Sequence, residues 1–398
     1  MQPLKASQAS GGLRRSLTTR GLVALVAGAL VLTGCSSNPN AIEPNDLPDF
    51  DSAYKVKRLW KANAGDGMDE TSIKLSPAVT SQQVFAADVH GQVYAFNRED
   101  GDRQWRKKTE DRISGGLFAG YGKVYYGTRE GEAVALSAED GSELWRRQLS
   151  SEILSAPTGT SSLALYQTID GRIQALDGET GEPRWEYETA IPNLILLGGT
   201  QPVVTAGRVY AAFSGGKVVC LDEQTGSPIW ERRVAEPTGR SELDRLVDIN
   251  TSLIVENGGV FTATFQGKVA VLDWENGRPY WAKDISSHQR LSSDLGTLFV
   301  SDDQGLVRGV DQRSGTFLWQ QDKLYGRRLT GTAVQDDLVV VGDYEGYLHW
   351  MDQSDGKLVA RYRHRGKPIV SAPIRHDDVI YVLGSEGRLA AYRLEARD

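Results

Sequence analysis

Short apolar runs separated by glycine-containing turns dominate the chain from about residue 76 onward. In one clear example, the β-prone run Val209–Phe213 is followed by a turn at 214–216 and a second run, Lys217–Asp222. Two such runs flanking a glycine turn are typical of a β-hairpin. A further short strand signal, such as residues 76–80, precedes each hairpin. The pattern therefore predicts four strands in each unit of about 40 residues, which is the size of a propeller blade.

The unit recurs without gaps from one glycine, through a second glycine ten residues later, to a tryptophan four residues beyond. The first glycines are Gly91, Gly131, Gly171, Gly216, Gly267, Gly305 and Gly346. The tryptophans are Trp105, Trp145, Trp185, Trp230, Trp281 and Trp319, and Ala360 takes this position in the seventh unit. Because they follow the period of the fold, these tryptophans are predicted to pack between blades rather than to hold a ligand.

An eighth copy begins at Gly387, but the chain ends before its second half. The missing half is present near the start, where residues 57–61, around Trp60, resemble residues 142–146, around Trp145. The sequence thus predicts an all-β fold, an eight-bladed propeller of four-stranded antiparallel blades, with the N-terminal strand closing the last blade.

The first residues have the features of a targeting segment. Four basic residues precede the first acid, Glu43, and an apolar run over residues 21–32 is too short to span a bilayer. The following Leu32–Cys35 looks like a bacterial lipobox. We predict a lipoprotein signal peptide at 1–34, a lipidated Cys35 with a flexible tether at 35–54, and the propeller at 55–398. Ser36 and Ser37 after the cysteine favour the outer membrane, by resemblance to enterobacterial sorting rules.

Composition narrows the possible chemistry. The net charge of −7 gives no indication of a nucleic-acid partner. With Cys35 lipidated, Cys220 has no disulfide partner, and we predict that it fills a small slot where inner strands crowd near the axis. The five histidines lack metal-ligand spacing, and His349 is predicted to be structural, although it could face the central channel. No cofactor or catalytic group is predicted.

The blade motif Asp-x-x-Thr-Gly-x-x-x-Trp, as in Asp177–Trp185, resembles the repeat of pyrroloquinoline-quinone (PQQ) propellers. Within that group the chain is most similar to the BamB lipoproteins, through residues 191–196, 241–246 and 342–350. This resemblance implies a non-enzymatic scaffold of the outer-membrane β-barrel assembly machine. Such a scaffold binds the periplasmic POTRA domains of BamA and faces the periplasm from the outer membrane.

Two adjacent blade connections are longer than the rest. Gly171 to Gly216 spans 45 residues and Gly216 to Gly267 spans 51, against 38–41 elsewhere. The extra residues form loops at 190–199 and 236–250, and insertions on one face of a repeat protein are often its binding face. The first loop is apolar and the second charged. The alternatives without a binding role are a buried strand for the first loop and a solvated polar loop for the second.

The family resemblance implies that these loops contact the barrel subunit. The family's two leucines match Leu194 and Leu196, and one of its acidic residues matches Asp248, while its basic and second acidic positions fall on Leu197 and Asn250. The chain departs from the family twice, because Leu197 replaces a basic residue and Asn250 an acidic one. Arg245 could supply the replacement cation.

Two other functions stay open on the sequence. A PQQ-dependent periplasmic oxidoreductase would share the repeat, but the chain has no adjacent cysteine pair and no room for the long insertions of those enzymes. A propeller adaptor for another envelope complex is the other alternative. Exposed strand edges could also pair with unfolded outer-membrane protein clients.

Overall fold

The computed structural model describes residues 42–68, 73–196, 198–236, 240–241, 243 and 245–397. Residues 44–398 form one compact unit. All regular elements in the described part are strands, arranged as eight four-stranded antiparallel sheets. None of the described residues forms a helix of the length and apolarity needed to cross a membrane. The prediction of an eight-bladed all-β propeller is confirmed.

Each blade contributes four strands in order from the axis outward. The innermost strands are β2 (Ala78–Val79), β6 (Phe118–Gly120), β10 (Thr158–Gly159), β14 (Val203–Thr205), β18 (Ile254–Glu256), β22 (Ser292–Asp294), β26 (Ala333–Gln335) and β30 (Ile374–His376). The second strands are β3 (Gln83–Ala87), β7 (Lys123–Gly127), β11 (Leu163–Thr168), β15 (Arg208–Phe213), β19 (Gly259–Ala263), β23 (Thr297–Ser301), β27 (Leu338–Gly342) and β31 (Val379–Leu383).

The third strands are β4 (Gln92–Asn97), β8 (Glu132–Ser137), β12 (Arg172–Asp177), β16 (Lys217–Asp222), β20 (Lys268–Asp273), β24 (Val307–Asp311), β28 (Tyr347–Asp352) and β32 (Arg388–Ala396). The outermost strands are β5 (Arg103–Lys108), β9 (Glu143–Gln148), β13 (Pro183–Glu188), β17 (Pro228–Arg233), β21 (Pro279–Asp284), β25 (Phe317–Gln321), β29 (Leu358–Arg363) and, for blade eight, β1 (Tyr54–Asn63). Innermost strands of neighbouring blades contact each other, for example β2 with β6 and with β30, and so surround the axis.

The N-terminal strand closes blade eight as predicted. β1 pairs antiparallel with β32, from Tyr54 opposite Ala396 to Asn63 opposite Arg388. This pairing joins the two ends of the described chain within a single sheet and completes the ring.

Each outer-strand tryptophan links its blade to the next one. Its indole Nε1 donates a hydrogen bond to a carbonyl in the next blade's turn between third and outer strands, as from Trp145 to Gly178 (3.1 Å) and from Trp60 to Arg98 (2.8 Å). The turn glycine lies on the indole ring. At Gly181, with φ of +71°, a Cβ atom would lie 2.7 Å from the Trp145 ring, so the position requires glycine for both conformation and space.

The residue opposite the tryptophan on the third strand is small. Ala135 faces Trp145, Cys220 faces Trp230 and Ala391 faces Trp60. The expectation that Cys220 lies near the axis is therefore wrong. It occupies the third of four strands, and its slot is small because the indole lies across from it.

Blade seven inverts this pair. Trp350 stands on the third strand and Ala360 on the outer strand. Blade eight has no turn between its third and outer strands, because its outer strand comes from the other end of the fold. A tryptophan at position 360 would therefore have no carbonyl to cap. Instead, Trp350 Nε1 donates to Gln335 Oε1 (2.7 Å), and Gln335 Nε2 donates to the carbonyl of Asp378 in blade eight (2.7 Å).

Residues 44–53, predicted as part of a flexible tether, are bound to the outer edge of blade seven and to the connection that leads into this blade. The Asn45 N–H donates to the carbonyl of Tyr325 (2.9 Å), and the Ala53 N–H donates to that of Val359 (2.9 Å). Between them, Arg361 donates from Nη2 to the carbonyl of Pro48 (2.6 Å) and stacks over the Phe50 ring at 4.9 Å. We call residues 44–53 the strap.

Candidate functional site

The two long connections lie on the same face of the ring. In an antiparallel blade, the connection to the next blade emerges at the same end as the turn between the second and third strands. We call this end the loop face. The connection from β13 to β14 carries the predicted loop 190–199, and that from β17 to β18 carries loop 236–250. Both therefore flank blade four on the loop face.

Asp248 joins these loops from inside. Its side chain is only 1% exposed. One carboxylate oxygen accepts the N–H of Leu196 (2.6 Å) and the other accepts the N–H of Gly215 (2.7 Å). Burial raises the pKa of this carboxyl group, and the two N–H donors partly oppose that rise. Sequence reasoning placed Asp248 among the residues that touch a partner, whereas the structure places it beneath the surface as a bridge.

The apolar loop is divided between surface and interior. Leu194 is 38% exposed. Leu196 is half-buried, and its N–H is the group that Asp248 holds. Ile195 and Ile191 line a narrow cleft between blades three and four, together with Phe213. Of the predicted apolar contacts in the described chain, Leu194 is the one presented outward.

The remaining predicted residues lie around this cleft. Asn250 is half-buried and lines the cleft beside Gly198, where an added Cβ atom would be 3.2 Å from Asn250 Cγ. Arg245 is exposed in the charged loop. Leu197 and Cys35 lie outside the described residues.

Sequence reasoning missed Gly215 and Pro192. Gly215 has φ of +77°, and an added Cβ atom would lie 3.0 Å from Pro192 Cγ, so the loop can approach blade four only over a glycine. A signal was available, because the turn Ser214-Gly215-Gly216 has an extra glycine in front of the repeat glycine. The extra glycine occurs in the blade that lies between the two insertions.

Side chains elsewhere that could take part in catalysis or metal binding are buried within the fold. The Cys220 thiol is buried, and burial raises its pKa to about 11, which disfavours the nucleophilic thiolate. His349 is fully buried on the third strand, away from the axis, and its Nε2 lies 3.0 Å from Asp343 Oδ2. Within the described residues, no three His, Cys, Asp or Glu side chains are grouped to bind a metal ion.

Comparison with known proteins agrees with this architecture. A family model described as outer membrane protein assembly factor BamB matches residues 89–321 and 303–398. The chain belongs to the BamB family. It is 46% identical over 372 residues to the outer membrane protein assembly factor BamB of Pseudomonas aeruginosa, covering 93% of this chain and 98% of the relative. The corresponding protein of Alkalilimnicola ehrlichii is 44% identical over 382 residues, covering 96% and 99%.

Solved structures agree at the level of the fold. The crystal structure of BamB from Moraxella catarrhalis superposes with a TM-score of 0.78 at 25% identity, over 85% of this chain and all of that one. A quinohemoprotein alcohol dehydrogenase from Comamonas testosteroni has a TM-score of 0.70 at 15% identity, covering 89% of this chain and 79% of the enzyme. At that identity the likeness to the enzyme extends to the fold alone.

Proposed function

We propose that this protein is a non-enzymatic assembly factor for outer-membrane proteins that docks onto the periplasmic POTRA domains of BamA through its two long loops. In this proposal the lipid on Cys35 holds it at the outer membrane, facing the periplasm. The observation that carries the docking assignment is the Asp248 bridge, which fixes the apolar loop against blade four and leaves Leu194 exposed.

The chemistry of the surface supports a protein partner. Leu194 is an exposed apolar group in the first loop, and Arg245 is an exposed cation in the second. An apolar centre flanked by charged groups is the usual composition of a protein interface. Because the carboxylate of Asp248 is bonded internally, its contribution to docking is to position the loop. The contact itself is assigned to Leu194 and Arg245.

The decisive experiment is a pull-down of BamA by the Leu194→Glu variant. We expect binding to fall by about tenfold or more, since a buried interface leucine would become a charge. Leu295→Glu is the matched control, because Leu295 is 87% exposed and lies in a turn on the opposite face. Normal binding by Leu194→Glu, with an unchanged circular dichroism spectrum, would refute the docking assignment.

A second variant tests the role given to Asp248. Asp248→Ala leaves the N–H groups of Leu196 and Gly215 without their acceptor, at a cost of about 1–3 kcal/mol for each buried donor. We expect the apolar loop to become sensitive to limited proteolysis and BamA binding to weaken together. If binding weakens while the loop stays protected, Asp248 acts on the partner rather than on the loop.

The fold likeness to quinoprotein enzymes leaves one activity to test. A dye-reduction assay after addition of PQQ and Ca²⁺ separates an oxidoreductase from a scaffold. A scaffold gives no turnover above the background without protein, while PQQ-dependent reduction would contradict the non-enzymatic proposal.

A further inference from the structure

The axial channel contains a cavity separate from the cleft between blades three and four. It has a volume of about 390 Å³ and is bounded by the innermost strands of blades four to eight and the segments leading into them. Its polar lining consists of Gln201, Ser252, Arg290, Ser292, Ser293, Thr332 and Arg375. Apolar side chains, among them Val203 and Ile254, complete the wall.

Arg290 is the unusual member of this lining. Its side chain is accessible from the cavity, yet no carboxylate of the described residues pairs with it. By contrast, Arg327 pairs with Asp343 (2.9 Å) and Arg308 with Asp302 (2.6 Å).

The position of Arg290 is held by close backbone packing. Gly331, in the next blade, has so little room that an added Cβ atom would lie 2.6 Å from Arg290 Cβ. The carbonyl of Arg290 also accepts the N–H of Thr332 (3.0 Å). These contacts fix the backbone of residue 290 in the channel wall, from which its exposed side chain borders the cavity.

The acidic residues of the innermost strands do not neutralise the charge of Arg290. Glu256 and Asp294 lie at the opposite ends of their strands, where they accept hydrogen bonds from Gln312 (2.9 Å) and Gln353 (3.2 Å). The other arginine that borders the cavity, Arg375, donates from Nε to the carbonyl of Asp377 (2.8 Å). The wall of the cavity thus carries two guanidinium groups and several hydroxyl groups, with no carboxylate of the described residues among the side chains that line it, and this composition favours an anion.

We propose that the axial cavity binds a small oxyanion, a carboxylate or phosphate group, through the guanidinium of Arg290. A guanidinium presents a planar set of donors that matches two oxygens of such a group. Ser252 and Ser293 supply hydroxyl groups from the same wall. This proposal does not rest on the function proposed above.

The test is calorimetric titration of the full-length protein, purified in detergent, with inorganic phosphate and separately with citrate. Sodium chloride at matched ionic strength gives the background for each titration. We expect at least one of the two anions to bind above that background. Which one binds decides between phosphate and carboxylate as the natural chemistry.

Arg290→Gln is expected to weaken that binding by about tenfold or more, since it removes the charge while keeping one amide donor. Arg313→Gln, an exposed arginine in a turn of blade six, is the control and should bind like the wild type. Ser252→Asp provides a second route, because a carboxylate in the same wall would compete with the ligand for Arg290. Absence of binding by either anion, or equal binding by the wild type and both channel variants, would overturn the proposal.

Discussion

At the scale of single residues, one paired position on the third and outer strands of every blade holds a single tryptophan opposite a smaller residue. An indole on the outer strand faces alanine, cysteine, valine or glycine on the third strand, and blade seven reverses the two sides with Trp350 and Ala360. Close packing explains this pattern, because two large side chains cannot share one slot and two small ones would leave a void. The tryptophan period was readable from the sequence. The reversal was not, because it depends on which strands face each other.

The reversed pair leads to a prediction about coupling. Trp350→Ala should destabilise the fold by about 3–5 kcal/mol through a cavity, and Ala360→Trp by about 1–3 kcal/mol through overpacking. The double variant restores one indole per slot, so its loss should be clearly smaller than the sum. Urea unfolding of all four proteins measures the coupling. Simple additivity would mean that the two side chains do not share a slot.

At the scale of elements, the closing strand β1 does two jobs. It covers the edge of β32, and it carries Trp60, whose indole caps the turn that contains Gly101 in blade one. The strap continues from β1 along blade seven and ends at Asn45 beside Tyr325. Strap contacts depend on side chains such as Arg361, without a repeat pattern to reveal them. For that reason the sequence predicted a flexible tether where the structure has a bound segment.

The closing strand can be tested by truncation. A variant that begins at residue 64 leaves the β32 edge unpaired and removes the Trp60 cap, so we expect it to aggregate or unfold at a lower temperature. A variant that begins at residue 44 keeps every contact of the strap and of β1 and is the control. Trp60→Ala in the full chain should cost about 3–5 kcal/mol. Equal thermal stability of the two truncated proteins would refute closure by β1.

At the scale of the whole molecule, the spacing of the repeats was enough to predict eight blades, closure of the last blade by the N-terminal strand, and the two insertions. It could not order strands by distance from the axis, which is why Cys220 was expected nearer the axis than it lies. It also could not distinguish a buried loop-bridging carboxylate, Asp248, from a surface one. Both distinctions depend on contacts between blades, and a sequence period contains no information about them.

Acid stability is a property of the closed ring, because histidines are buried where blades meet. His364 is 4% exposed at the junction of blades seven and eight, and its two ring nitrogens lie 2.8 Å from Tyr392 Oη and 3.2 Å from the carbonyl of Arg388. The neutral ring satisfies both contacts with one donor and one acceptor. Burial is the main reason that its pKa falls to about 4, and nearby arginines add to it.

Because the pKa of His364 is lower in the folded than in the unfolded protein, its contribution to stability is complete above pH of about 6.5 and is lost as the pH falls toward 4. The loss amounts to about 1.4 kcal/mol per pH unit, or roughly 3 kcal/mol in total. His349, whose pKa is also lowered by burial, acts in the same direction. Urea unfolding between pH 7.5 and about 4.5 should therefore show a smaller pH dependence for His364→Gln than for the wild type, with His90→Gln as the exposed control. Parallel pH profiles for the wild type and His364→Gln would mean that this histidine is not held neutral by the ring.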